Sequence, residues 1–362
     1  MTSISRSDKH APVSFDLAGF SFPSEGEGPV VPLWVRRQLD NIHELLADGH
    51  YAKAFFFAER LQRSLAPNAP AEVQLPVRGL AATAKLARGD FDSSEAELLN
   101  ALSVAKAGEL LESALGTSLM NNLAVITFAF HSRPSAAESQ FSQALTFIAT
   151  PEKEEHGQRS LCLRNLGVVQ DAQGNIDEAA RNLNRALEAS DGEPGRMLEI
   201  AELLANNRER ANDIAAVEAI CSGMYAVTDR HRHERPDLFI AAAQNLAVFF
   251  LKTADFARLG PVVKDQLMEM KNSTPHDERW RMAAPLLYLA LHHGAAGQWG
   301  NAAMHISRAV TLDAETPLGQ LKAVDSLKRL ITFYGSIANT RAADIAREVF
   351  RRARTGASDK DR

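Results

Sequence analysis

Cysteine is almost absent, with only Cys162 and Cys221 in 362 residues. A disulfide-stapled fold is therefore excluded, and both residues fall on apolar faces of predicted helices, as small buried groups of a reducing compartment do. No run approaches the ~18 apolar residues of a membrane helix. The stretch Met1 to Ala11 is polar and lacks the apolar centre of a signal peptide. A cytoplasmic protein that does not enter a membrane is expected. Charge is balanced, with 40 Lys and Arg against 45 Asp and Glu and a net charge of −5. That balance gives no reason to expect direct nucleic-acid binding.

Catalytic signatures are missing too. There is no GxxxxGK[ST], GxSxG, HExxH or CxxC. Gly26-Glu27-Gly28 is a fragment of a glycine-rich loop with no strand before it. His231 and His233 lie among Arg230, Arg232 and Arg235, which would repel a cation, and His292-His293 cannot share a helix face. Neither an enzyme nor a cofactor or metal is expected.

Alternating β-branched stretches are also scarce, and what fills the chain is a helical repeat. Its clearest copy opens with Leu163-x2-Leu166-Gly167-x2-Gln170, turns at Gly174, and closes with Ala179-x3-Leu183-x2-Ala186-Leu187. Gly167 and Ala179 are small enough to let two antiparallel helices cross closely. The closing half recurs from Ala54, Ser94, Ala137, Ala302 and Ala342, and weakly from Ala216 and Leu259. Seven steps average about 41 residues, so the expectation is about eight helix-turn-helix units. A recurrent period of this kind predicts an all-α solenoid, whose core is one continuous strip and whose function lies on a shared surface.

This pattern resembles the tetratricopeptide repeat, with Leu163 and Gln170 where the family has Trp and Tyr. The long period resembles the subgroup found in kinesin light chains and bacterial Rap-type peptide-sensing regulators. The resemblance covers roughly residues 33–355 and implies a right-handed α-solenoid. Residues 1–31 match no repeat and are expected to be disordered or capping, 32–355 to form the array, and 356–362 to be a polar tail. Within the first stretch, Phe15 to Phe22 is unusually apolar. It reads as a cap on the first repeat, as a pseudo-ligand folded back into the groove, or as an export signal.

The resemblance also implies that the first helix of each repeat lines the concave face. Asn122, Asn165 and Asn245 occupy equivalent positions there, each followed three residues on by Val125, Val168 or Val248. A carboxamide donates to a peptide C=O and accepts from a peptide N–H at once, so it holds an extended chain regardless of sequence. The competing role is to tie neighbouring helices together. Asn121, Arg164 and Gln244 precede the three asparagines, and Arg164 either meets a ligand carboxylate or pairs with Asp171. The family's lysine clamp for terminal carboxylates is largely missing, because its second positions hold Ser118, Leu161 and Ala241. The expected function is a non-enzymatic module, scaffold or adaptor, gripping an extended segment of a partner protein. The alternative is a peptide- or small-ligand-sensing regulator acting through a partner. Self-association through an uncapped solenoid end is the remaining expectation.

Overall fold

Each hairpin turn contains one residue in the left-handed region. In the computed structural model these are Gly49, Gly89, Ser132, Gly174, Asn212, Ala254, Gly297 and Ala338, with φ between 52° and 84°. The structure describes residues 3–6, 13–20, 31–66, 68–148, 156–190, 192–315 and 322–358. Within them the turns join α1 (Leu33–Ala47) to α2 (Tyr51–Ser64), α3 (Ala71–Ala87) to α4 (Phe91–Ala107), and α5 (Ala114–Ala129) to α6 (Pro134–Ile148). The series continues with α7 (His156–Ala172) to α8 (Ile176–Glu188), α9 (Pro194–Arg210) to α10 (Ile214–Arg230), and α11 (Pro236–Lys252) to α12 (Phe256–Ser273). It ends with α13 (Ala283–Ala295) to α14 (Trp299–Ala314) and α15 (Lys322–Ser336) to α16 (Thr340–Ser358). The expected all-α chain of helix-turn-helix repeats is what forms. No helix of the described residues is long and apolar enough to cross a membrane.

The local chemistry repeats as well. After the left-handed residue a polar residue caps the second helix: the side chains of Asp90, Asp213 and Asp255 accept from the N–H of Ser93, Ala216 and Arg258. These bonds satisfy a donor that the first helical turn leaves open. Five residues beyond each left-handed residue a buried side chain faces back to the first helix. These are Ala54, Ser94, Ala137, Ala179, Val217, Leu259, Ala302 and Ala343. That constant offset corrects the register of the fifth and eighth repeats by one residue each, from Ala216 to Val217 and from Ala342 to Ala343. Ala216 is only half-buried, whereas Val217, Cys221 and Met224 form the buried stripe.

The chain divides into two compact units, Met1–Arg196 and Met197–Arg362. In the first, α1 touches α3, α3 touches α5 and α5 touches α7, in addition to the packing of consecutive helices. The odd-numbered helices thus form an inner layer. The amino terminus adds β1 (Ser3–Arg6) and β2 (Val13–Asp16), an antiparallel pair with Ser3 opposite Asp16 and Arg6 opposite Val13. In the second unit one core runs from Val217 to Ala353. Tyr334 is buried there and donates its hydroxyl to the Leu251 carbonyl at 2.6 Å. Asp313, also buried, accepts from the Ala323 and Val324 amides at 3.0 Å each and so caps the start of α15.

Candidate peptide-binding groove

The inner helices of the first unit hold a stretch of the chain's own backbone. β2 lies against α7, and the chain continues from it as the segment 17–20. On α5, Asn122 accepts from the Ala18 N–H through Oδ1 at 2.7 Å and donates through Nδ2 to the Ala18 carbonyl at 3.1 Å. One side chain therefore satisfies both polar groups of one residue, the complementarity expected between a carboxamide and a peptide. Two residues on, the Phe20 carbonyl accepts from His43 Nε2 of α1 at 2.6 Å, so that ring nitrogen carries the proton. Leu17 and Phe20 are 2% and 1% exposed.

Asn122 does not act alone. Its Oδ1 also accepts from Asn121 Nδ2 at 3.0 Å, Asn121 Oδ1 accepts from Asn165 Nδ2 at 3.1 Å, and Asn165 Oδ1 accepts from the Arg164 guanidinium at 2.9 Å. The four polar residues expected in the groove of this unit thus form one relay, from a cation on α7 to a peptide on α5. All are buried, Asn121 and Asn165 completely. In that setting a missing partner leaves a desolvated group, which costs about 1–3 kcal/mol. Two roles that looked like competitors in the sequence coincide here. Asn165 and Asn121 tie α7 to α5, and Asn122 holds the backbone.

The remaining candidates divide. Val125 and Val168 are buried. Gln244, on α11, accepts from Gln266 Nε2 of α12 at 3.0 Å and so ties those two helices. Asn245 lies in the second unit, where it donates to Glu202 Oε1 of α9 at 2.7 Å. Beside it is a cavity of about 660 Å³ among α9, α10, α11 and α15, which Asn245 and Val248 line. Val217, Cys221, Met224 and Phe249 belong to its apolar lining. The Glu209–Lys252 ion pair, at 2.6 Å, stands with Glu202 and Asn245 among its polar residues. Burial pushes the Cys221 thiol up to about 11, so it acts there as an apolar surface.

Two contributors were not anticipated. His43 is one. The other is Gly79, in the middle of α3, where an added Cβ would stand 2.4 Å from the Phe20 ring. A glycine inside a helix costs about 1 kcal/mol against alanine, so a mid-helix glycine in an alanine-rich stretch is itself a signal that something packs against the backbone. At the second positions of the largely missing lysine clamp, Ser118 accepts from Gln158 Nε2 at 3.1 Å and Leu161 is buried.

No family model matches this chain, and no curated protein matches it. Solved structures do. The apo form of RapI is similar over 91% of this chain and 98% of its own, with a TM-score of 0.61 and 10% identity. The fold is a tetratricopeptide-type repeat array. A signal-transduction ATPase with a tetratricopeptide repeat sensor from Pyrococcus horikoshii is similar over 80% of this chain and 44% of its own, with a TM-score of 0.57 and 14% identity. The carboxy-terminal part of a tetratricopeptide repeat-containing protein from Cytophaga hutchinsonii covers 79% of this chain and 98% of its own, with a TM-score of 0.53 and 12% identity. At these identities the likeness is one of fold.

Proposed function

We propose that the protein is a non-enzymatic interaction module that grips an extended peptide segment of a partner protein along its inner helices. The observation that carries this reading is the two-point bond between Asn122 and the Ala18 backbone. It engages only main-chain atoms, so it suits any extended segment, and selection falls to the pockets beside it. The test is selection of peptides from a random library on the chain, with Asn122→Ala and Asn245→Ala as separate counter-screens. Peptides lost from one variant while circular dichroism stays unchanged support the reading. Peptides retained by both variants move binding off the inner helices and sink it.

A second reading has its own support in the cavity beside Asn245. A space of about 660 Å³ with an apolar lining and a few polar groups falls in the range of ligand pockets. It suits a regulator that senses a short peptide or small molecule and acts through a partner. Fractions of a cell extract would separate the readings. A rise in melting temperature with the small-molecule fraction favours the sensor, and a response to the protein fraction alone favours the adaptor.

A further inference from the structure

The amino-terminal segment does not sit where a cap would. A cap for the first repeat would cover the outer faces of α1 and α2. Here β2 lies on α7, Ala18 on α5, and Phe20 reaches α3 and α1. The segment therefore crosses the first helices of four successive repeats, against their order in the chain. Its contacts are those of a bound peptide. Three backbone hydrogen bonds hold it, Leu17, Ala18 and Phe20 are buried, and Gly19 is exposed.

The receiving surface is shaped for that content. Gly79 leaves the space that the Phe20 ring fills. The buried relay from Arg164 holds the Asn122 carboxamide in the orientation that Ala18 uses.

We propose that residues 17–20 are an intramolecular ligand that keeps the groove of the first unit closed, and that a partner enters by displacing them with a segment of the same leucine–small–any–phenylalanine pattern. The proposal rests on the peptide-gripping reading of this groove and adds its regulation. A segment tethered in the same chain competes at an effective concentration on the order of millimolar. A free peptide with the same contacts is then outcompeted until it is present at a similar level.

A fluorescent peptide of the sequence Val13 to Ser21 tests this on the full chain. Binding is compared for the unaltered protein, for Leu17→Glu with Phe20→Glu, and for that double variant carrying Asn122→Ala or Gly79→Ala as well. The expected result is weak binding to the unaltered chain, at least about tenfold tighter binding to the double variant, and loss of that gain with either added substitution. Equal, Asn122-dependent binding to the unaltered chain and the double variant would overturn the closure while leaving the peptide-gripping reading intact. No binding to a folded double variant would overturn both. Amide exchange at Ala18 in the unaltered protein adds a measurement free of any variant. Slow exchange that Asn122→Ala accelerates supports the docked segment, and fast exchange from the outset overturns it.

Discussion

Asn165 on α7 donates to Asn121 on α5 at 3.1 Å, joining side chains 44 positions apart in the chain. Both are fully buried. Replacing either by alanine is expected to destabilise the first unit by about 1–3 kcal/mol, because the other keeps a desolvated amide. The double variant should cost less than the sum, with a coupling of at least about 0.5 kcal/mol. Chemical denaturation of the four-protein cycle measures it. Additive losses would mean that the relay is not a unit.

Ala254 and Ala338 adopt φ of 57° and 55° in their hairpin turns. An L-residue pays about 1–2 kcal/mol there, whereas glycine does not. Part of the gain is offset by the greater freedom of glycine in the unfolded chain. Ala254→Gly and Ala338→Gly should therefore each raise the stability of the second unit by roughly 0.5–1 kcal/mol. A lower denaturation midpoint in either would contradict the turn geometry.

Gly167 should tolerate no side chain. An added Cβ would lie 2.8 Å from Leu183 Cγ and 3.2 Å from the Ala179 carbonyl oxygen. Gly167→Ala gains helix propensity of about 1 kcal/mol but overpacks the α7–α8 crossing, which costs about 1–3 kcal/mol. Thermal melts should show a lower midpoint for Gly167→Ala, and Leu183→Ala should cost less in that background than in the unaltered chain, because the two side chains compete for one space.

In the middle of α16, hydrogen bonds from Arg351 and then Arg352 hold the Glu348 carboxyl at about 2, against its ordinary 4.5. A depressed carboxylate contributes stability above its unfolded value and loses it as pH falls through the folded one. The local helix should accordingly loosen between about pH 4.5 and 2, more weakly in high salt because the pair is partly exposed. Carboxyl NMR shifts of Glu348 through an acid titration report it. An unshifted midpoint near 4.5 would remove the pairing.

Burial raises the Cys162 thiol to about 12 and the Cys221 thiol to about 11. Native protein near pH 8 should react with a thiol reagent only at the rate of unfolding, and two thiols per chain should appear in denaturant. Fast reaction of one thiol in native conditions would show that the cavity beside Cys221 admits the reagent.

The repeat was readable because small residues must recur wherever two helices cross, and a recurrence survives the decay of any single copy. Gly174 announced its turn, and Gly49, Gly89 and Gly297 carry the same signal in theirs. Ser132, Asn212, Ala254 and Ala338 do the same work without the glycine signal, and the fifth and eighth copies were read one residue early, at Ala216 and Ala342 instead of Val217 and Ala343. In the candidate groove, Asn121, Asn122, Arg164 and Asn165 stood out because each pair holds equivalent positions in two repeats. Their linkage into a relay was not, since it depends on distances between α5 and α7. His43 and Gly79 escaped for a related reason. Each acquires its role from Phe20, outside its own repeat: the mid-helix glycine marks Gly79 as a packing point without saying what packs there, and nothing in its repeat marks His43.

A solitary asparagine is indifferent to the direction of the chain it holds, because a half-turn of its amide exchanges donor and acceptor. Asn122 has lost that freedom. Turning it would set its NH2 group against that of Asn121, whose own orientation is fixed through Asn165 by a guanidinium that can only donate. If the inner face of the first unit grips a peptide as proposed, it reads which way the backbone runs before it reads any side chain, and a segment threaded backwards would meet donor with donor at its centre.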